Sequence, residues 1–175
     1  MKRQGLLDLN EAIQHPGTKL RFELTTNLPD EEDIDLIEPV TGTLDAVSTG
    51  NILLLKGAYQ ATCAIECARC GEPLNQKVVF YMNDEFVVEG VPAVYGTGEF
   101  AQVVEEDEYP LFHKNALIKD AYLRQGLIVN LPVQPLCEFG WDGPCPKAKR
   151  RTAGLEEHGH PALQKLRGLV ESEED

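Results

Sequence analysis

Two cysteine pairs are the residues of this chain best suited to chemistry. Cys67 and Cys70 are separated by two residues and followed by Gly71, so they can form a tight turn that presents both sulfurs to one tetrahedral metal ion. Cys137 and Cys145 lie far downstream, and a fold that brings them alongside would complete a four-thiolate zinc site. Because seven residues separate this second pair, where about two to four are usual, the loop between them must fold back.

The first pair also has the spacing of a thiol redox motif. Redox pairs favour a helix N-terminus, which lowers the thiol pKa, and a βαβ context. The residues around Cys67 and Cys70 have a strand-turn-strand pattern instead, so the sequence favours a metal site. Four thiols without a metal are the remaining alternative. The fifth cysteine, Cys63, shares a strand face with Ile65 and is predicted to be a small buried apolar residue.

Other catalytic constellations are not recognisable in the sequence. The carboxylates form no acid/base pair with a nucleophile, and there is no Walker loop, dinucleotide fingerprint or Gly-x-Ser-x-Gly elbow. His158 and His160 flank a glycine in a Glu-rich stretch, which is typical of surface residues, and are a secondary choice for completing a site with Cys145. We therefore expect no enzyme and no small-molecule substrate.

The charge of the chain restricts its partners. The 29 acidic and 16 basic residues leave a formal net charge of −13, which argues against broad, non-specific binding to nucleic acid. A basic protein, or RNA bound through a local patch, fits this charge. The candidates for such contacts are a basic cluster after the last cysteine and the tryptophan between the second cysteine pair: Lys147, Lys149, Arg150, Arg151 and Trp141.

The elements that position the first cysteine pair are predicted to be strands, because polar and apolar residues alternate along them. These strands span residues 19–24, 40–47, 52–55, 58–67 and 76–88. Gly57 is predicted to mark a bulge. Cys67 and Cys70 then fall in the turn of a β-hairpin, which is where a zinc knuckle belongs. Acidic loops are predicted at 25–39 and 99–109.

Helical patterns are confined to shorter parts of the chain: residues 6–15 are predicted to form a short helix or turn, and residues 114–130 and 161–170 are predicted to be helices. Taken together, the pattern predicts an α+β protein, mainly an antiparallel β-sheet with one or two packed helices and a zinc-ribbon-like staple. One domain is expected over 1–170, followed by an acidic tail at 171–175.

The location of the protein is also suggested by its sequence. No apolar run is long enough to span a membrane, and the N-terminus turns acidic too early for a signal peptide. We expect a cytoplasmic protein, in which paired cysteines are more often metal ligands or redox thiols than disulfides.

Two separated motifs, in the same order, resemble the YceD family. The segment 67–74, Cys-Ala-Arg-Cys-Gly-Glu-Pro-Leu, is similar to that family's Cys-x-Arg-Cys-Leu-x-Pro motif. The segment 124–137 is similar to the family's approach to Leu-Pro-x-x-Pro-Leu-Cys, and 143–146 resembles its Gly-Leu-Cys-Pro. Residues 160–166 look like the helix that closes many members. The resemblance spans nearly the whole chain.

This resemblance implies a non-enzymatic role in the accumulation or processing of large-subunit ribosomal RNA, with a large-subunit ribosomal protein or ribosomal RNA as partner. Trp141 stands where many members carry a further cysteine, and a basic run at 147–151 replaces the family's later cysteines. The ligand set is thereby reduced to two pairs: Cys67, Cys70, Cys137 and Cys145. A generic acidic interaction domain unrelated to ribosomes is the alternative.

Overall fold

The computed structural model describes residues 5–28, 34–96, 100–105 and 108–148. The chain divides into two compact units: the first unit comprises Met1–Ala64 and Asn75–Pro132, and the second unit comprises Ile65–Leu74 and Val133–Asp175. The elements of the described residues are β1 (Leu6–Asp8), α1 (Asn10–Gln14), β2 (Lys19–Thr26), β3 (Asp35–Ser48), β4 (Ile52–Glu66), β5 (Pro73–Glu89), β6 (Gln102–Val104), β7 (Phe112–His113), β8 (Ala116–Ile118) and α2 (Lys119–Asn130). The helix predicted at 161–170, with His158 and His160, lies outside the described residues.

A five-stranded sheet in the order β2-β3-β4-β5-β6 is the main element of the fold. β2 pairs antiparallel with β3 over its whole length, and β3 pairs antiparallel with β4. The turn between β3 and β4 contains Gly50 at φ +110°, a conformation that glycine adopts without steric cost. The boundaries between the two units fall within β4 and β5. The predicted fold class, mostly antiparallel β-sheet with few helices, is confirmed.

A second sheet of three strands has the order β1-β8-β7. β1 pairs antiparallel with β8, so Leu6 lies opposite Ile118 and Asp8 lies opposite Ala116. The short helix or turn predicted at 6–15 is therefore wrong for residues 6–8. These residues form a strand instead, because they pair with β8, which lies far away in the sequence. Only α1 is helical in this region.

The core of the first unit lies on one face of the large sheet. Along β5, Val78 and Phe80 are buried whereas Val79 and Tyr81 are exposed, as expected for an antiparallel sheet with one solvated face. The ring centroids of Tyr59 and Phe80 lie 5.3 Å apart on the buried face.

Helix α2 packs against β5 on this buried face. The Tyr122 hydroxyl donates a hydrogen bond to Asp84 Oδ2 at 2.7 Å. A Cβ at Gly126 would lie 2.2 Å from Met82 Sδ. A glycine that weakens the helix by propensity is thus explained by the close approach of β5. None of the helices in the described part of the chain has the length and apolarity that crossing a membrane requires.

The predicted bulge at Gly57 is wrong. The register of β3 and β4 is continuous past this residue, and the shifts lie around Glu38 instead. A Cβ at Gly57 would lie 2.1 Å from the hydroxyl oxygen of Tyr59. Glycine therefore occurs here because the tyrosine side chain occupies the space that another side chain would fill.

Three further predictions are wrong in their bounds. The acidic loop predicted at 25–39 is shorter at both ends, because β2 extends to Thr26 and β3 begins at Asp35. The helix predicted from residue 114 begins only at Lys119, because β7 and β8 form a hairpin with Lys114 at φ +57° in its turn. The acidic segment 99–109 includes β6, which pairs with the end of β5. In this segment the Glu105 carboxylate accepts the backbone N–H groups of Leu111 and Phe112 at 3.2 and 2.9 Å.

Candidate metal centre

The first cysteine pair lies in the turn that connects β4 to β5, as predicted. The backbone N–H of Cys67 donates to the carbonyl oxygen of Glu72, and the N–H of Gly71 donates to that of Cys67, both at 2.8 Å. Gly71 adopts φ +74°, a left-handed conformation that suits glycine. These bonds close the tight knuckle that the spacing of Cys67 and Cys70 predicts.

The segment leading to Cys137 is hydrogen-bonded to this turn. The Ala68 N–H donates to the Pro135 carbonyl at 2.8 Å, and the Cys137 N–H donates to Cys67 Sγ at 3.3 Å. The sulfurs of Cys67, Cys70 and Cys137 all lie within 4.8 Å of one another. Three thiols, one of them 70 residues from the first, are therefore close enough to hold one metal ion.

Cys145 is buried in the second unit and lies beside this group. It lines the same small cavity as Cys70 and Cys137, but its sulfur is not one of the three that lie within 4.8 Å of one another. Its sulfur accepts the backbone N–H groups of Ala148 and Lys147, three and two residues further along the chain. Residues 146–148 are helical, and this turn directs both N–H groups towards the sulfur.

The thiols differ in the direction of their pKa shifts: the pKa is lowered at Cys67 and Cys145 and raised at Cys70. The N–H of Cys70, with further backbone donors, lowers the pKa of Cys67 to about 6, and the pKa of Cys145 is also lowered by its N–H donors. The N–H of Glu72 favours the thiolate of Cys70, but burial and the neighbouring thiols raise the pKa of Cys70 to about 11. Like charges crowded together resist ionisation, so a bound cation would stabilise the thiolates that the cluster alone cannot all form.

Arg69 helps to fold back the long loop between Cys137 and Cys145. Its Nη1 donates to the carbonyl oxygens of Gly140 and Gly143, each at 2.8 Å. The loop is also closed internally, because the Gly143 N–H donates to the Phe139 carbonyl at 2.9 Å and Gly140 adopts φ +57°. The intervening residues are thus folded back, and Cys137 and Cys145 line the same small cavity.

Arg69 is the residue that sequence reasoning missed. The available signal was its position, a cation enclosed between Cys67 and Cys70 in a strongly acidic chain. A planar guanidinium can donate to two carbonyl oxygens at once, which Lys does not do with fixed geometry. Gly140 and Gly143, whose carbonyl oxygens accept these bonds, lie 71 and 74 positions from Arg69, so no local pattern relates them to it.

The other predicted contact residues are not gathered into one patch. Trp141 lies at the tip of the folded loop and is 52% exposed. Lys147 forms an ion pair with Glu72. The rest of the predicted basic cluster lies outside the described residues: Lys149, Arg150 and Arg151.

The donor atoms of the cluster decide what it can do. Thiolates select zinc, copper(I) or iron–sulfur clusters over hard cations. A small cavity of about 200 Å³ opens beside three of the four thiols, those of Cys70, Cys137 and Cys145.

Comparisons with protein-family models, with curated proteins and with solved structures give no match.

Proposed function

We propose that this protein is a non-enzymatic accessory factor in ribosome biogenesis, in which Cys67, Cys70, Cys137 and Cys145 bind one structural zinc ion. The observation that carries the metal site is the meeting of thiols from two distant segments, with backbone N–H groups directed at their sulfurs. A four-thiolate zinc ion has no open position for a substrate or a catalytic water, so this centre stabilises a fold and does not catalyse.

The small core of the second unit supports a structural ion. The apolar residues that are fully buried in its described part are small ones, namely Cys67, Cys145 and Ala148. Chains of this size rarely fold on so little apolar surface, and a structural metal commonly replaces the missing core. Zinc would therefore bind the β4–β5 turn to the segment 133–148.

The ribosomal role is supported by the resemblance to the YceD family and by charge. Both cysteine motifs occur in the order typical of that family. A net charge of −13 suits a partner that is basic, as many ribosomal proteins are, and complementary charge accelerates such encounters. The partner is then a large-subunit ribosomal protein, or ribosomal RNA contacted locally.

Elemental analysis of tag-free protein tests the metal centre. We expect about one zinc ion per chain, with the thiols of Cys67, Cys70, Cys137 and Cys145 protected from thiol reagents until the metal is chelated. The Cys70→Ser variant should lose the zinc. The matched control is Cys63→Ala, which removes a buried cysteine of the first unit that lies outside the cluster and should keep the zinc. A metal-free protein with disulfide-reductase turnover that requires Cys70 would instead establish a redox pair.

Depletion of the protein in cells tests the ribosomal role. We expect a fall in mature large-subunit RNA relative to small-subunit RNA, measured by gradient sedimentation and RNA blotting. The wild type and Cys63→Ala should restore the ratio, whereas Cys70→Ser should not. An unchanged ratio in depleted cells would overturn the ribosomal role and leave the zinc centre standing.

A further inference from the structure

The loop between Cys137 and Cys145 has the features of a preformed binding element. Its backbone is held by three internal hydrogen bonds: Gly140 N–H to Cys137 O and Gly143 N–H to Phe139 O, each at 2.9 Å, and Cys145 N–H to Gly143 O at 2.8 Å. The guanidinium of Arg69 adds two more from the adjacent turn. A loop held in one conformation loses little conformational entropy when a partner binds, so its contacts contribute more fully to affinity.

The side chain at the tip of this loop is the sole tryptophan of the chain, Trp141. It is 52% exposed, although the loop that carries it is otherwise ordered by hydrogen bonds. Tryptophan is enriched among the residues that dominate binding energy at protein interfaces. An exposed tryptophan on a rigid loop is therefore a candidate anchor for a partner.

The charges around Trp141 identify the kind of partner. Glu138 and Asp142 are both exposed on the same loop. The two cations in the described part of the second unit are already engaged, because Arg69 donates to backbone carbonyls and Lys147 is paired with Glu72. The described surface of the second unit thus offers carboxylates and an indole face rather than free cations, and an indole face attracts Arg and Lys side chains.

We infer that the loop 138–144 is a docking element whose Trp141, flanked by Glu138 and Asp142, binds a basic segment of a partner protein. The inference rests on the proposed function, since an accessory factor without catalysis acts through a partner, and it names the surface that such a partner would contact. An Arg or Lys side chain would lie on the indole while its neighbours pair with the two carboxylates. Single-stranded RNA, which the cations at 149–151 could attract, is the competing occupant.

The fluorescence of Trp141 gives a local readout, because no other tryptophan contributes. The zinc-loaded full chain is titrated at low salt with a synthetic peptide of alternating arginine, lysine and glycine, and separately with oligouridine. We expect a saturable change in Trp141 emission with the peptide and none with the oligonucleotide. The double variant Glu138→Gln/Asp142→Asn should bind the peptide about fivefold more weakly.

Two controls separate local docking from attraction to an acidic protein. The matched variant Glu85→Gln/Glu89→Gln removes the same charge from exposed positions on β5 of the first unit and should bind as the wild type does. Trp141→Ala, followed by calorimetry, should weaken binding about tenfold, whereas Trp141→Phe keeps an aromatic face and should weaken it less.

Three results would overturn the inference: a Trp141 response to oligouridine alone, no response to either probe, or equal weakening by the two charge-neutralised double variants. Zinc content, measured on the same samples, tests the proposed function separately. A zinc-loaded chain that ignores the peptide overturns the docking element alone, whereas a zinc-free chain overturns the metal centre.

Discussion

At the scale of single residues, the polar side chains of this protein are distinguished by whether their atoms have partners. The guanidinium of Arg69 donates to the carbonyl oxygens of Gly140 and Gly143. It thereby holds the loop 138–144, which the hydrogen bonds of the loop's backbone close only in part. Tyr122 donates to a carboxylate, whereas the hydroxyl of Tyr59 is buried without a hydrogen-bond partner among the described residues. A buried group without a partner lowers stability, and a bonded one does not.

The Arg69→Met variant should destabilise the second unit. Methionine keeps an apolar stem of similar length but loses both hydrogen bonds, and we expect the free energy of unfolding to fall by about 2 kcal/mol. Urea denaturation and the rate of zinc release measure the effect. Arg21→Met is the control, because Arg21 pairs with Asp45 at 3.7 Å on an exposed strand, and it should cost less than about 0.5 kcal/mol. Equal losses in both variants would contradict the role given to Arg69.

The two buried tyrosines should respond to the same substitution with opposite sign. Tyr59→Phe removes a hydroxyl that has no partner, so the free energy of unfolding should rise by about 1 kcal/mol. Tyr122→Phe leaves Asp84 without its donor, so it should fall by about 1.5 kcal/mol. Thermal or urea denaturation distinguishes these outcomes. A loss of stability in Tyr59→Phe would show that its hydroxyl has a partner in solution.

At the scale of elements, the β4–β5 hairpin turn carries two of the three thiols that lie close enough to hold a metal ion, and its geometry depends on one glycine. Gly71 is the residue that reverses the chain after Cys70, and it does so at φ +74°. Most other residues adopt this conformation only at a cost of about 1–2 kcal/mol, whereas Asn tolerates it better. The flanking strands are long and regular, so they place the turn but do not relieve its strain.

Substitutions at Gly71 test whether this turn controls the metal centre. Gly71→Ala should lower the free energy of unfolding by about 1 kcal/mol and Gly71→Asn by clearly less. Zinc affinity, measured by competition with a chromophoric chelator, should follow the same order. If Ala and Asn at this position behave alike, the left-handed conformation of Gly71 does not limit metal binding.

At the scale of the whole molecule, the two units differ in what stabilises them. The first unit has a core of large apolar side chains that includes Leu44, Leu55, Phe80, Leu123 and Leu127. The second unit, where described, has no comparable core and depends on thiols, backbone hydrogen bonds and Arg69. Removal of a metal should therefore affect the two units unequally.

Chelation of zinc should loosen the second unit and spare the first. After treatment with a strong chelator, we expect amide hydrogen exchange to accelerate in residues 65–74 and 133–148, because the ion binds these segments to each other. Protection in β2 and β3 should persist, since the first unit has its own core of large apolar side chains. Hydrogen exchange followed by mass spectrometry measures both. A uniform loss of protection over the chain would contradict a local staple.

The sequence alone predicts strands β2 to β5, the hairpin turn at Cys67 and Cys70, and the burial of Cys63, because alternation and turn spacing are local properties of the chain. Only the tertiary structure decided three things: that 6–8 and 112–118 pair as strands, that Gly57 accommodates Tyr59, and that Arg69 folds the loop between Cys137 and Cys145. Each depends on a contact that hydrophobic alternation does not record: strand pairing across a sheet, a side chain that fills the space beside a glycine, or hydrogen bonds over more than 70 positions. The cysteines that could hold a metal ion were therefore predictable, whereas the contacts that bring them together were not.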